Sequence, residues 1–192
     1  MVGLRGQLLA LAALAAAGGL GWKLRFHPSS DTRAWRDGAR GERATARLLR
    51  RLERRGFVVF HDLAIPGTPA NADHLVIGPP GVVLVDSKRY TGQVTQGRDG
   101  RVWHDRYPMD RALRALLLEA EAISSALGVE VRPVVCVHGA GVARGGLAAG
   151  PVQLVPAARL RQLLLTAAPA LLSGGDVVAL VAHARRALHP AA

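Results

Sequence analysis

Sulfur and lysine are both scarce in this chain. A single cysteine, Cys136, in 192 residues excludes a disulfide framework and any zinc site built from several cysteines. Lysine occurs only at Lys23 and Lys88, so arginine supplies almost all of the 25 basic side chains. The acids number only 14, which leaves a formal net charge of +11. No internal repeat is present. The glycine-rich stretch 138–150 lacks the Lys-Ser/Thr end of a phosphate-binding loop and reads as a connection. No nucleophile elbow surrounds Ser87, and the histidines show no metal-ligand spacing.

What is present suffices for one ordinary α/β domain with a core, since hydrophobic residues make up 49% of the chain and rule out a disordered tail. The basic surplus points to a polyanionic partner, either nucleic acid or an acidic membrane surface. An arginine habit of a GC-rich genome produces the same surplus, so charge alone does not choose.

Residues 1–26 form a hydrophobic amino-terminal segment, uncharged from 8 to 22 and expected to be a helix. Lys23, Arg25, Arg33, Arg36 and Arg40 follow it, against Arg5 alone on the other side. That asymmetry favours a membrane anchor with the rest of the protein cytoplasmic. A cleaved signal after Ala15-Ala16-Ala17 is the alternative, and a chain without an anchor would simply be cytoplasmic. Residues 27–33 read as a linker and 34–190 as the folded domain.

Within that domain the spacing predicts a helix over 32–55 ending at Gly56, then strands over 57–63, 71–77 and 82–88. A short hairpin over 93–103, a helix over 109–127 and a strand over 131–137 follow. A further strand at 152–155 and helices near 158–165 and 176–188 close the chain. This order predicts an α/β fold with a mixed sheet flanked by helices.

The second and third strands carry the informative pattern. If their hairpin closes at Gly78 and Gly81, partners sum to 159 and Asp73 faces Asp86. Alternation then sets Asp73, Asp86 and Lys88 on one face with Leu75, Ile77, Val82 and Leu84. Two opposed carboxylates at the end of an apolar face repel and resist burial. A divalent cation relieves both penalties, and Lys88 relieves part of them. His74 points to the other face and reads as a hydrogen-bonding or packing residue.

These residues carry a resemblance. Asp86-Ser87-Lys88 on one strand, Asp73 on the strand before it and Glu42 on the first helix resemble the PD-(D/E)xK nuclease superfamily. The stretches 38–42, 61–62, 71–79 and 86–92 more closely resemble the nuclease-related domain, NERD, over roughly 35–137. The resemblance implies a restriction-endonuclease-like fold and Mg²⁺- or Mn²⁺-dependent hydrolysis of DNA or RNA. It implies Asp73, Asp86 and the Ser87 carbonyl as metal ligands, with Glu42 on the metal or on a metal-bound water. Lys88 is then expected to orient the attacking water and offset charge at the phosphate. Where many relatives carry Asn-Pro and Gln, this chain has Tyr107-Pro108-Met109-Asp110-Arg111.

On helical spacing, Arg43, Arg47, Arg50, Arg51, Arg54 and Arg55 fall on one arc opposite Thr45, Leu48, Leu49 and Leu52. Such an arc suits a nucleic-acid backbone or an anionic lipid surface. A non-catalytic module using this surface is the alternative to a nuclease. The oligomeric state is not legible.

Overall fold

The computed structural model describes residues 30–166 and 171–191. The expected amino-terminal helix and anchor lie outside the described residues, and among those described no helix is long and apolar enough to cross a membrane. The chain divides into two compact units, Met1–Ala39 and Arg40–Ala192. Of the first unit only residues 30–39 are described, as the opening of a helix. The second unit carries the rest of that helix and every element after it.

Helix α1, Ser30–Leu49, tightens into a 3₁₀ turn over Arg50–Arg55 and stops at Gly56 in the left-handed conformation. The sequence pattern predicts a single α-helix here. The tighter winding brings Arg50 into line with Glu53 and Arg51 with Arg54, and keeps Leu52 buried.

Strands β1 (Val58–Ala64), β2 (Asn71–Gly78) and β3 (Gly81–Arg89) form an antiparallel meander. A small sheet of β4 (Val94–Gln96), β5 (Val102–His104) and β6 (Tyr107–Pro108) leads into helix α2, Asp110–Leu127. Strand β7 (Val131–His138) returns parallel to β3. Strands β8 (Leu147–Ala149) and β9 (Val152–Pro156) precede α3 (Ala157–Thr166) and α4 (Gly174–Ala187). The main sheet runs β1-β2-β3-β7-β9-β8 and is mixed, as expected. Strand β8 is the departure: the glycine-rich stretch is not all connection, because Gly146 and Gly150, both at positive φ, turn three of its residues back against β9.

Each face of the sheet takes two helices. Leu75, Ile77, Val82, Leu84, Val135 and Val137 pack with α2 and α4. Val76, Val83, Val85, Val134 and Cys136 pack with Leu49 and Leu52 of the first helical segment and with Leu160 and Leu164 of α3. Each such leucine or valine contributes about 1.5–3 kcal/mol on full burial. The alternation along β2 and β3 thus fixes which side chains look toward α2 and which toward α1.

Candidate metal centre and arginine cleft

The β2–β3 register pairs Gly78 with Gly81, Leu75 with Leu84 and His74 with Val85, which brings Asp73 and Asp86 to the next positions on the two strands. Asp86, Lys88 and the Ser87 N–H all act on Asp73, so the side chains of Asp73, Asp86 and Lys88 gather at this end of the two strands. The Ser87 backbone N–H donates to Asp73 Oδ2 at 2.7 Å, and Lys88 Nζ donates to Asp86 Oδ1 at 2.8 Å. The ion pair is shielded, with side chains 35% and 18% exposed for Lys88 and Asp86.

Burial pushes the Asp73 carboxyl up to about 7, and the neighbouring Asp86 charge adds to the rise. The Ser87 N–H and Lys88 pull it back, while Glu42 pushes it further. For Lys88, burial works against the charge, but Asp86 and Asp73 outweigh it and hold the ammonium above its ordinary value. Lys88 is therefore a cation at any physiological pH. It can donate hydrogen bonds but not take a proton.

Strand β1 passes next to Asp73 and brings a further acid close. Asp62 lies across from it in the β1–β2 register, between the pairs His61–His74 and Leu63–Ala72. Its φ of 49° breaks the strand locally, and its Oδ1 accepts from Asn71 Nδ2 at 3.3 Å. The left-handed backbone costs about 1 kcal/mol or more.

Glu42 is exposed on α1, the helix of the opposite face, and acts on Asp73 through its charge rather than through a bond. Among the described residues no three His, Cys, Asp or Glu side chains converge as a ligand set. On the α2 side, half-buried Glu119 is the further carboxylate. Burial and then the Asp86 charge raise its pKa, and Lys88 opposes them. The sequence signal for Glu119 is its place between Leu116 and Ala120 of the buried stripe, where a carboxylate is costly. Tyr90 closes the same edge: its ring stacks on His104 at 4.2 Å, and burial raises its hydroxyl pKa while Lys88 pulls it down. Asp110, in the segment that departs from the family pattern, pairs with Arg101.

Behind the acids, on the α1 side, lies a polar chain. Gly41 lets α1 approach closely: a Cβ there would sit 3.4 Å from the Arg89 Cβ. Ser87 Oγ donates to Thr45 Oγ1 at 2.9 Å, Thr45 donates to Cys136 Sγ at 3.6 Å, and His138 Nε2 lies 2.8 Å from the same Thr45 oxygen. Burial pushes the Cys136 thiol up to about 11, so it is an unreactive thiol and not a nucleophile. His74 is buried as expected, with its Nδ1 2.8 Å from His61 Nδ1. Burial, aided by His61, holds the His74 pKa down at about 4, so both rings are neutral and one donates to the other.

Five arginines of the expected arc share one hollow. Arg47, Arg50, Arg51, Arg54 and Arg55 line a cleft together with Arg161 of α3, whereas Arg43 does not line it. The 3₁₀ winding and the arrival of α3 gather these side chains around a hollow that a plain helical wheel does not show.

Neither a curated protein nor a solved structure matches the chain. Residues 37–138 match the family model of the nuclease-related domain, a span that covers β1 to β7 with Asp73, Asp86, Ser87 and Lys88 inside it. By that match, more than half its length, the chain belongs to the NERD family, the nuclease-related domain.

Proposed function

We propose that this protein is a divalent-cation-dependent nuclease, hydrolysing phosphodiester bonds of DNA or RNA on a restriction-endonuclease-like frame. The observation that carries the reading is the pairing at this end of the sheet: Asp73 and Asp86 are close enough for the Asp86 charge to act on Asp73, with the single ammonium of Lys88 bonded to Asp86, and burial followed by that charge pushes the Asp73 carboxyl up to about 7.

The donor set fits Mg²⁺ or Mn²⁺. Among the described residues, the hydrogen bonds accepted by the two carboxylates are those from Ser87 N–H and Lys88, which leaves an oxygen of each for a ligand. Magnesium is commonly bound by one or two carboxylates and keeps several waters, so it does not require a third acidic side chain. Asp73, Asp86 and the Ser87 carbonyl would hold the ion, with Glu42 reaching one of its waters from the α1 side. When bound, the ion supplies a polarised phosphoryl oxygen and a water acidic enough to attack near neutral pH.

The chain's own residues do the rest. Lys88, kept protonated by Asp86, donates to a phosphate oxygen and steadies the attacking water. Ser87 N–H holds Asp73 in place, and Thr45 fixes Ser87 from behind. Tyr90 and Glu119 wall the edge and limit the solvent that reaches Lys88.

The test incubates the full chain with plasmid, single-stranded DNA and RNA, with Mg²⁺, Mn²⁺ or EDTA, beside Asp86→Ala and Lys88→Ala. Cleavage is expected only with the metal and only for the unsubstituted chain, each substitution costing about 10²-fold or more. Cleavage that survives EDTA or either substitution overturns the mechanism. Binding without cleavage under all conditions assigns the chain to a non-catalytic module instead.

A further inference from the structure

We infer that the cleft between the 3₁₀ turn Arg50–Arg55 and helix α3 is a second nucleic-acid site, which grips the phosphate backbone of a strand away from the acidic end. The inference rests on the nucleic-acid reading above and extends it to a different face of the sheet. The cleft encloses about 860 Å³, and its lining consists of Arg47, Arg50, Arg51, Arg54, Arg55 and Arg161 with Glu53 as the lone acid. Water screens part of the repulsion among these guanidinium groups, and an anion in the hollow offsets the rest.

Arg161 gives an independent pointer. Its Nε is buried with no hydrogen-bond partner. A buried donor left unsatisfied in a native fold calls for an acceptor, and none of the described residues supplies one. Phosphate supplies it, because its oxygens match the planar fork of arginine. The volume and the number of cations exceed what one phosphate can use, whereas a strand presents phosphates in series.

The lining also selects among polyanions. It contains no apolar side chain to enter a bilayer, and the large exposed hydrophobics among the described residues, Tyr107, Leu118, Leu171 and Val178, lie on other segments. A concave wall encloses a strand better than it meets a flat lipid surface. No aromatic ring lines it, so bases are not stacked there and binding is independent of sequence.

The cleft is remote from the acids. Arg55 precedes Val58, which pairs with Ile77 and through it with Val82, six residues before Lys88 on β3. At ~3.3 Å per residue that separation is about 20 Å. The arginines also stand with the α1 and α3 side of the sheet, opposite the acids. The site therefore retains a strand that is cut elsewhere.

The experiment measures anisotropy of a labelled single-stranded oligonucleotide of about 30 nucleotides, long enough to span several site lengths, bound by the full chain in EDTA over a range of salt. Arg51→Glu with Arg54→Glu alters two exposed side chains. It should weaken binding about tenfold or more and flatten the log K against log salt slope by about 1.4, which is ~0.7 for each phosphate contact on a single strand. Arg161→Gln should weaken binding on its own, and the exposed pair carries the test if that variant melts early. Wild-type affinity and slope in the exposed pair overturn the cleft. So does a loss confined to vesicles of phosphatidylserine and phosphatidylcholine, with oligonucleotide binding intact. Arginine-dependent binding by a chain that never cleaves removes the nuclease reading and keeps the cleft. Undiminished cleavage with arginine-independent binding does the reverse.

Discussion

The acidic end of β3 and the arginine cleft carry opposite charge on opposite faces of one sheet, and the fold treats them differently. At the acidic end the charges are shielded, so the chain must answer them itself: Lys88 pairs with Asp86, and Ser87 N–H holds Asp73. In the cleft, Arg51, Arg54 and Arg55 are exposed, and water screens what the fold leaves unanswered. Shielded charge makes a site that a bound cation relieves and pH retunes. Exposed charge makes one that salt retunes. Each region can therefore be perturbed by a variable to which the other is nearly indifferent.

Asp73→Asn breaks the comparison most sharply. The folded chain holds this carboxyl at about 7 against an ordinary 3.8, so it binds its proton more tightly folded than unfolded. The stabilisation it gives is full below the unfolded value and is lost as pH rises through about 7. Without metal, the wild-type chain should lose on the order of 3 kcal/mol from this group between pH 4 and pH 8, at about 1.4 kcal/mol per unit. Asp73→Asn should flatten that slope and melt higher than wild type at pH 8 in EDTA. Saturating Mg²⁺ should close most of that gap at pH 8, raising wild type by about 2–3 kcal/mol and leaving the variant where it was. Thermal melts over the two pH values with Mg²⁺ and EDTA decide it. A wild-type melting point that ignores both pH and Mg²⁺ refutes the shielded-charge account.

Much of the acidic end was legible because strands translate sequence into space simply. Gly78 and Gly81 set the turn, and the pairing sum of 159 holds from there to His74 and Val85, the pair just before the two aspartates. The arginine cleft was legible only in part, since Arg161 comes from a helix more than 100 residues later and no local period announces that α3 will lie beside Arg51. The 3₁₀ winding of Arg50–Arg55 is not announced by the helical period, and two glycines at positive φ made a strand out of part of a stretch read as loop. Thr45 was legible as a core-facing position but not as a hydrogen-bond hub, because its partners Ser87, Cys136 and His138 come from two strands distant in sequence.

That hub supports the acidic end alone, so weakening it sharpens the contrast by a middling amount. Thr45→Val keeps the volume and removes the hydroxyl, leaving Ser87 Oγ and the His138 ring without their shared partner in a fully buried place. The expected cost is about 1–3 kcal/mol in a thermal or denaturant melt. Cleavage should fall with it, because Ser87 N–H positions Asp73. Oligonucleotide affinity in EDTA should hold, since Thr45 lies outside the lining of the cleft. Equal losses of cleavage and affinity would show the two regions to be one site.

Glu119→Gln asks the finest question: whether the acidic end stops at β2 and β3 or includes α2. Burial and the Asp86 charge raise this carboxyl above 4.5, with Lys88 opposing, so its ionised form is mildly disfavoured in the fold. Its contribution to stability is therefore present below the unfolded pKa and lost as pH rises. Replacing it with a neutral amide should leave the melting point unchanged near pH 4 and raise it slightly at pH 8, by less than about 1 kcal/mol for a half-exposed group. Activity should move the other way. With Glu119 neutral, Lys88 answers only the two aspartates and is held closer to Asp86, so it is less free to meet a phosphate. A fall in kcat of about threefold to tenfold at unchanged salt slope follows from losing one such weak contribution. A stabilised variant that cuts more slowly places Glu119 within the charge set that works on the phosphate. A stabilised variant that cuts at the wild-type rate makes it wall and nothing more.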